Sequence, residues 1–220
     1  MYQTEILRTA DGSDTIYVTG LDEHFHSVFG AMGESEHVFI NNGFDFSKTN
    51  PLRILEVGFG TGLNVLLTAL RNLSTRREIH YTALEKFPLS ASVIDSLNYR
   101  DIVSPEGKDI FSQIHLSPWN AIQEICNNFF LEKLTVDLVT DRIPGSYDLI
   151  YFDAFSPDKQ PEMWSKNVFS KISEVTSPNG ILVTYSAKGE VKRILRRLGF
   201  IVSLLPGYAG KRHMIRAVKF

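Results

Sequence analysis

Three glycines at alternate positions, Gly58, Gly60 and Gly62, separate one apolar run ending in Glu56-Val57 from another beginning at Leu63-Asn64. Glycine lets the backbone turn sharply after a strand and lets a ligand approach main chain with no Cβ in the way. The spacing G-x-G-x-G departs from the G-x-G-x-x-G of dinucleotide loops, which aim a helix N-terminus at pyrophosphate. Glu56, placed just before the loop, suits a ligand with a cationic end, such as the amino group of S-adenosylmethionine. Phe59 and Asn64 fall within the same candidate cofactor loop. Glu85 follows Gly62 by 23 residues and closes the run Tyr81–Leu84. A carboxylate there can accept both ribose hydroxyls of a nucleoside. With Lys86 beside it, Glu85 could otherwise be a plain surface pair, and the glycine loop favours the cofactor reading. Further on, Asp137 or Asp141 could accept an adenine amino group, with Asp137 preferred.

A second candidate centre is Asp153, reached after the apolar run Leu149-Ile-Tyr-Phe152. That pattern puts a carboxylate at the carboxyl end of a central strand, the edge where open α/β sheets bind ligands. Its plainer role would be to cap the following turn. The next loop carries Phe155, two prolines and Trp164, from which an aromatic wall over the cleft is expected. The histidines lack H-E-x-x-H or other metal spacing, so no metal site is expected, and His24 and His26 are read as structural. The chain has no G-x-S-x-G elbow and no Walker A loop, which excludes α/β-hydrolase and P-loop chemistry.

These residues need a sheet to hold them. Strand-like runs at Arg53–Val57, His80–Leu84, a piece within Phe130–Val139, Asp148–Phe152 and Ile181–Tyr185 alternate with helical windows. Weaker strands follow at Phe200–Leu204 and Met214–Val218. Leu63–Leu70 is almost wholly apolar, as expected of a helix lying on a sheet. Val191, Ile194, Leu195 and Leu198 mark the apolar face of a helix over Glu190–Leu198, with Gly199 as its stop. The pattern predicts α/β, a doubly wound and mostly parallel sheet over residues 51–220. Residues 1–50 read as a β-rich extension, with β-like pieces at Thr15–Thr19 and His37–Ile40 separated by turn clusters.

Composition narrows the partners. Two hundred and twenty residues with 43% hydrophobic content can bury one core without staples. The single cysteine, Cys126, forms no internal disulfide and points to a reducing cytoplasm. The apolar runs fall short of a bilayer span, and the N-terminus lacks a signal-peptide layout. A net charge of -2 excludes a protein that coats nucleic acid. The charge is uneven, however. Lys188–Phe220 holds nine basic residues and one acid, a net +8, against -10 elsewhere. Lys211, Arg212, Arg196 and Arg197 are therefore candidates for RNA phosphate contacts, or else simply a solvated face.

Five blocks resemble a known family: L-E-V-G-F-G-T-G-L-N (55–64), L-E-K-F-P-L (84–89), F-D-A-F-S-P-D-K-Q-P-E-M-W (152–164), S-P-N-G-I-L-V-T-Y-S-A-K-G (177–189) and G-K-R-H-M (210–214). With H-S-V-F-G-A-M-G-E-S-E-H-V-F-I (26–40), they are similar to the methyltransferase module of the MnmC-type tRNA-modifying enzymes. That resemblance implies a Rossmann-like class I methyltransferase using S-adenosylmethionine. Its expected substrate is 5-aminomethyl-2-thiouridine at the tRNA wobble position, methylated on the exocyclic amine. Because the bifunctional members carry an oxidase domain and no second fingerprint follows here, a separate enzyme is expected to supply that amine. The resemblance assigns Glu56, Gly58, Gly60, Gly62 and Glu85 to the cofactor and Asp153 to the amine. Relatives commonly have Gly-Asp where this chain has Val136-Asp137. An ordinary aspartate, with a pKa near 3.9, is a poor final sink for an amine proton, so Asp153 is expected to orient the amine and relay the proton. A spermidine-synthase-like aminopropyltransferase and a non-catalytic nucleotide- or RNA-binding module remain as alternatives on the residues alone.

Overall fold

The computed structural model describes residues 3–220. Eleven strands and seven α-helices follow in order among them. An antiparallel sheet of β1 (Thr4–Arg8), β2 (Asp14–Val18) and β3 (Glu23–His24) opens the chain. Helix α1 (Ala31–Ser35) then runs into a π-helical stretch, Glu36–Phe44. The main body comprises β4 (Leu52–Val57), α2 (Leu63–Thr75), β5 (Ile79–Glu85), α3 (Ala91–Asp95), α4 (Tyr99–Ile102), α5 (Pro105–Leu116), β6 (Ile122–Cys126), β7 (Phe129–Thr135) and β8 (Tyr147–Phe152). It continues through a 3-10 turn (Pro161–Trp164), α6 (Lys166–Val175), β9 (Thr176–Thr184), α7 (Gly189–Arg197), β10 (Phe200–Pro206) and β11 (His213–Lys219). No helix among the described residues is long and apolar enough to cross a membrane.

The large sheet has the order β10-β11-β9-β8-β4-β5-β7-β6. Strands β7, β5, β4, β8 and β9 are parallel, whereas β11 and β6 run against their neighbours. Strand order reverses at β4, which lies between β5 and β8, so a crevice opens there at the carboxyl edge. Side-chain alternation divides the interior between the two faces. Ile54, Tyr81, Ala83, Leu149 and Tyr151 join the core under α2 and α5. Leu55, Leu84, Ile150 and Phe152 join the opposite core under α6 and α7.

The stretch His37–Ile40 is π-helical where a strand is expected, as the Asp45 N–H bond to the Ile40 carbonyl at 2.9 Å illustrates. A short unbroken apolar run fits a buried helix as well as a buried strand. Val38, Phe39, Ile40 and Phe44 are all buried and complete the core over β8 and β9. Gly43 is needed for this fit, because a Cβ there would come within 3.0 Å of Val183 and 3.1 Å of Tyr151. Arg77 holds the end of the stretch by donating to the Phe44 and Ser47 carbonyls at 3.0 and 2.9 Å.

The N-terminal sheet is tied to the body by a buried polar knot. Asp14 and Asn98 exchange backbone-to-side-chain hydrogen bonds at 2.9 Å, Asn98 Nδ2 donates to Gly12 O, and Tyr99 Oη donates to Asp14 O. Removing one member leaves buried groups without partners. Asn98→Ala should therefore destabilise the protein by about 2 kcal/mol, lowering the melting temperature by roughly 4–8 °C in a thermal denaturation scan.

Candidate active site

A cleft of about 1740 Å³ opens at the carboxyl ends of β4, β5, β7 and β8. It exceeds the roughly 300–1,000 Å³ usual for a small-molecule pocket. The glycine loop forms its base. Gly58, with φ +90°, lies so close to the end of β8 that a Cβ would meet the Asp153 carbonyl oxygen at 2.6 Å. Gly60 has φ +51° and backs onto the Phe25 ring. Gly62 is left-handed at the start of α2 and lies outside the cleft wall, where its close neighbours are His115 and Phe59.

Glu85 is fastened by the loop it faces. Its Oε2 accepts from Gly60 N at 3.1 Å and its Oε1 from Phe87 N at 2.8 Å. Each oxygen retains a lone pair, and the residue lines the cleft, so the carboxylate can also accept a pair of vicinal hydroxyls. Lys86 forms an ion pair with Asp137 at 2.7 Å. That partner holds the Asp137 carboxyl below its ordinary range. Asp137 also accepts from Val139 N, whereas exposed Asp141 receives the Asp137 N–H. Asp137 and its neighbours Val136, Leu138 and Val139 line the cleft, as do Leu84, Phe87 and Leu89. Together they make an apolar slot with an acid on one side.

Asp153 lies at the cleft floor, with its N–H bonded to Val57 O at 3.0 Å. Asn64 Nδ2 donates both to Asp153 Oδ2 at 2.8 Å and to Glu56 Oε1 at 2.9 Å. Burial pushes the Asp153 carboxyl up to about 7, although the Asn64 hydrogen bond pulls the other way. Glu56 is wholly buried and is not part of the cleft wall. Burial drives its carboxyl well above the usual range. The same alternation that puts Ile54 beneath α2 turns Glu56 beneath it as well. Glu56 therefore braces Asn64 and is not placed to meet a ligand's amino group.

Phe155 lines the cleft and meets Phe25 edge-on at 5.1 Å. Trp164 does not form the expected wall. It is buried behind Phe155, donating its indole N–H to the Phe155 carbonyl at 2.7 Å, and its ring packs on Phe152 and Tyr185. Lys211 is in the wall, paired with Glu34, and Arg212 is exposed outside it. Arg196 and Arg197 occupy the last turn of α7, which runs back from the end of β9 to the start of β10. They therefore lie toward the edge of the sheet opposite the cleft. Several wall residues carried no local signal in the sequence: Phe25, His26, Glu34 and Tyr185. His26 is kept neutral by burial, its pKa lowered to about 4, and shares a 3.2 Å hydrogen bond with Thr61 Oγ1.

Residues 108–220 match the family model for S-adenosyl-L-methionine-dependent methyltransferases. The chain belongs to that family. Its cofactor is S-adenosylmethionine, and the cleft fits it. The glycine loop leaves main chain bare, Glu85 would take the ribose hydroxyls, and the slot beside Asp137 would take the adenine. Among similar proteins, this methyltransferase is 30% identical to the tRNA 5-methylaminomethyl-2-thiouridine biosynthesis bifunctional protein MnmC of Pseudoalteromonas atlantica, over 97% of this chain and 33% of that protein. It is 32% identical to the MnmC of Campylobacter hominis, over 88% of this chain and 30% of that protein. The chain thus spans about a third of the length of these curated relatives. The crystal structure of MNMC2 from Aquifex aeolicus covers the whole chain and 70% of its own, with 27% identity and a TM-score of 0.79.

Glu85→Ala removes the only carboxylate fastened between Gly60 N and Phe87 N. It should weaken S-adenosylmethionine binding at least about tenfold, measured by titration calorimetry, since hydrogen bonds to a charged group contribute about 1.5–3 kcal/mol each.

Proposed function

We propose that this methyltransferase methylates the exocyclic primary amine of 5-aminomethyl-2-thiouridine at the tRNA wobble position, giving 5-methylaminomethyl-2-thiouridine. The reading is supported chiefly by Asp153, a carboxyl held by Asn64 at the floor of the cleft with its pKa raised to about 7. The MnmC relatives, named for tRNA 5-methylaminomethyl-2-thiouridine biosynthesis, point the same way. The cleft wall carries six acids, Glu23, Glu34, Glu85, Asp137, Asp153 and Glu162, against three lysines. Such a surface attracts an ammonium and repels phosphate, so the modified base enters while the RNA backbone stays outside. Arg212, exposed next to the wall residue Lys211, would meet that backbone. The reaction takes place in the cytoplasm.

Bound S-adenosylmethionine supplies the electrophilic methyl carbon. The chain has to deliver a neutral amine in line with it, and most of the acceleration comes from that placement. Asp153 receives the incoming ammonium on Oδ1, because Oδ2 is held by Asn64. With a pKa near 7, Asp153 is a better acceptor than an ordinary aspartate, so it can take the ammonium proton and release it to water. The amine, freed of its proton and held at Asp153, would then be ready to displace the sulfonium at the methyl carbon that the bound cofactor would supply. Phe155 and Phe25 keep water from the reacting atoms on one side.

Nucleoside mass spectrometry of tRNA from a deletion strain tests the reading. Accumulation of unmethylated 5-aminomethyl-2-thiouridine is expected, and an unchanged profile would refute it. Methyl transfer to that tRNA but no aminopropyl transfer to putrescine separates it from an aminopropyltransferase. Asp153→Ala should retain cofactor affinity and lose turnover by about a hundredfold. In the wild type, kcat/KM should rise with pH through about 7, as Asp153 loses its proton.

The raised pKa also has a stability sign. A carboxyl whose folded pKa exceeds its unfolded value stabilises the fold only while protonated, and that contribution is lost as pH rises through about 7. Asp153→Asn should therefore melt several degrees above the wild type at pH 8, with the gap narrowing as pH falls and closing only near pH 4, about the pKa of an unfolded aspartate. A gap that is equal at both pH values would contradict this.

A further inference from the structure

The cleft already holds a primary alkylammonium, and it belongs to the protein. Lys211 Nζ is ion-paired with Glu34 Oε1 and lies 4.6 Å from the centre of the Tyr185 ring. The Glu34 side chain is only 8% exposed, whereas that of Lys211 is 41% exposed. Its other oxygen, Oε2, accepts from Ser27 N at 2.9 Å, which fixes the carboxylate in place. Tyr185 is fixed too, donating its hydroxyl to the Ala154 carbonyl at 2.9 Å, one residue beyond Asp153. Glu34, Tyr185, Lys211 and Asp153 all line the same cleft. A buried carboxylate beside an aromatic face is a general recognition site for a cationic amine.

The loop that carries Lys211 is seated on the N-terminal segment. Tyr208 Oη would clash with a Cβ at Gly30 or Gly33, at 2.6 and 2.1 Å, so both glycines are needed to admit it. His37 hydrogen-bonds to the Pro206 carbonyl at 2.8 Å. The backbone of this corner is thus held from both sides, while the Lys211 side chain reaches Glu34 from the exposed side of the wall.

We propose that Glu34 and the face of Tyr185 form the receiving site for the substrate's primary ammonium, and that Lys211 is a built-in competitor which that ammonium displaces before passing to Asp153. The proposal rests on the amine-methylation reading. It reverses the expected role of Lys211, because a phosphate-binding lysine aids RNA binding and a competitor opposes it. Glu34 is a positioning residue here, since the reacting nitrogen leaves it before attack.

The test compares Lys211→Met, Glu34→Gln and the wild type on a short anticodon RNA bearing the aminomethyl uridine. Binding and turnover are both measured. Lys211→Met should bind the RNA about threefold or more tighter and lower KM to match, as expected on losing one competing ion pair. Glu34→Gln, which preserves shape, should raise KM with little change in kcat. Glu34→Gln combined with Lys211→Met should cancel the gain of the lysine change, which separates competition from a change in folding. Weaker or unaltered RNA binding by Lys211→Met would overturn the proposal. Absence of methyl transfer by the wild type would instead overturn the amine-methylation reading, and the binding comparison would still decide the role of Lys211.

Discussion

One side-chain amide connects the two acids on which the site depends. Asn64 Nδ2 has two hydrogens and gives one to Glu56 and the other to Asp153. Two ionised carboxylates so close in a dry place would repel each other strongly. Burial raises both carboxyls, Glu56 well above its ordinary range and Asp153 to about 7, which disfavours two adjacent negative charges. Asn64 belongs to the first turn of α2, so the helix that follows the glycine loop also sets the position of the carboxylate at the end of β8, the strand beside β4 in the sheet. The glycine loop, Glu56 and Asp153 are thus held together through one side chain.

That unit constrains its surroundings. Gly58 must lack a side chain to let β4 and the end of β8 meet, and the same contact presents bare main chain to the cofactor. The wall above is assembled from distant parts of the chain: Phe25 and Glu34 from the N-terminal segment, Phe155 from the loop after β8, and Tyr185 and Lys211 from the C-terminal third. A preorganised cleft of this kind spends folding free energy on buried charge and regains it from the apolar cores on the two faces of the sheet.

The features legible in the sequence were those encoded by neighbours along the chain. Strand, glycine loop and helix succeed one another within a dozen residues at Leu52–Leu63, and Asp153 ends an unmistakable apolar strand. Glu85 likewise ends β5. The rest depended on contacts that local pattern does not encode. Glu34 and Lys211 are 177 residues apart. Trp164 satisfied its indole N–H on a carbonyl of the preceding loop and so turned inward. The inward direction of Glu56 could have been read from its parity with Ile54, whereas the π-helical turn at His37–Ile40 could not be separated from a strand by periodicity. The basic C-terminal segment also dissolved into separate uses. Lys219 donates to the Ser173 and Thr176 carbonyls, Arg216 stacks over Phe46, and Lys188 pairs with Asp158.

The π-helical stretch has a further consequence. Because it continues directly from α1, the apolar residues that cover β8 and β9 and the buried Glu34 ride on one continuous turn of chain. Gaining or losing a single residue between them would rotate the carboxylate by roughly 100° relative to the core-facing side. The spacing from Glu34 to Phe44 is therefore a ruler shared by the core and the cleft.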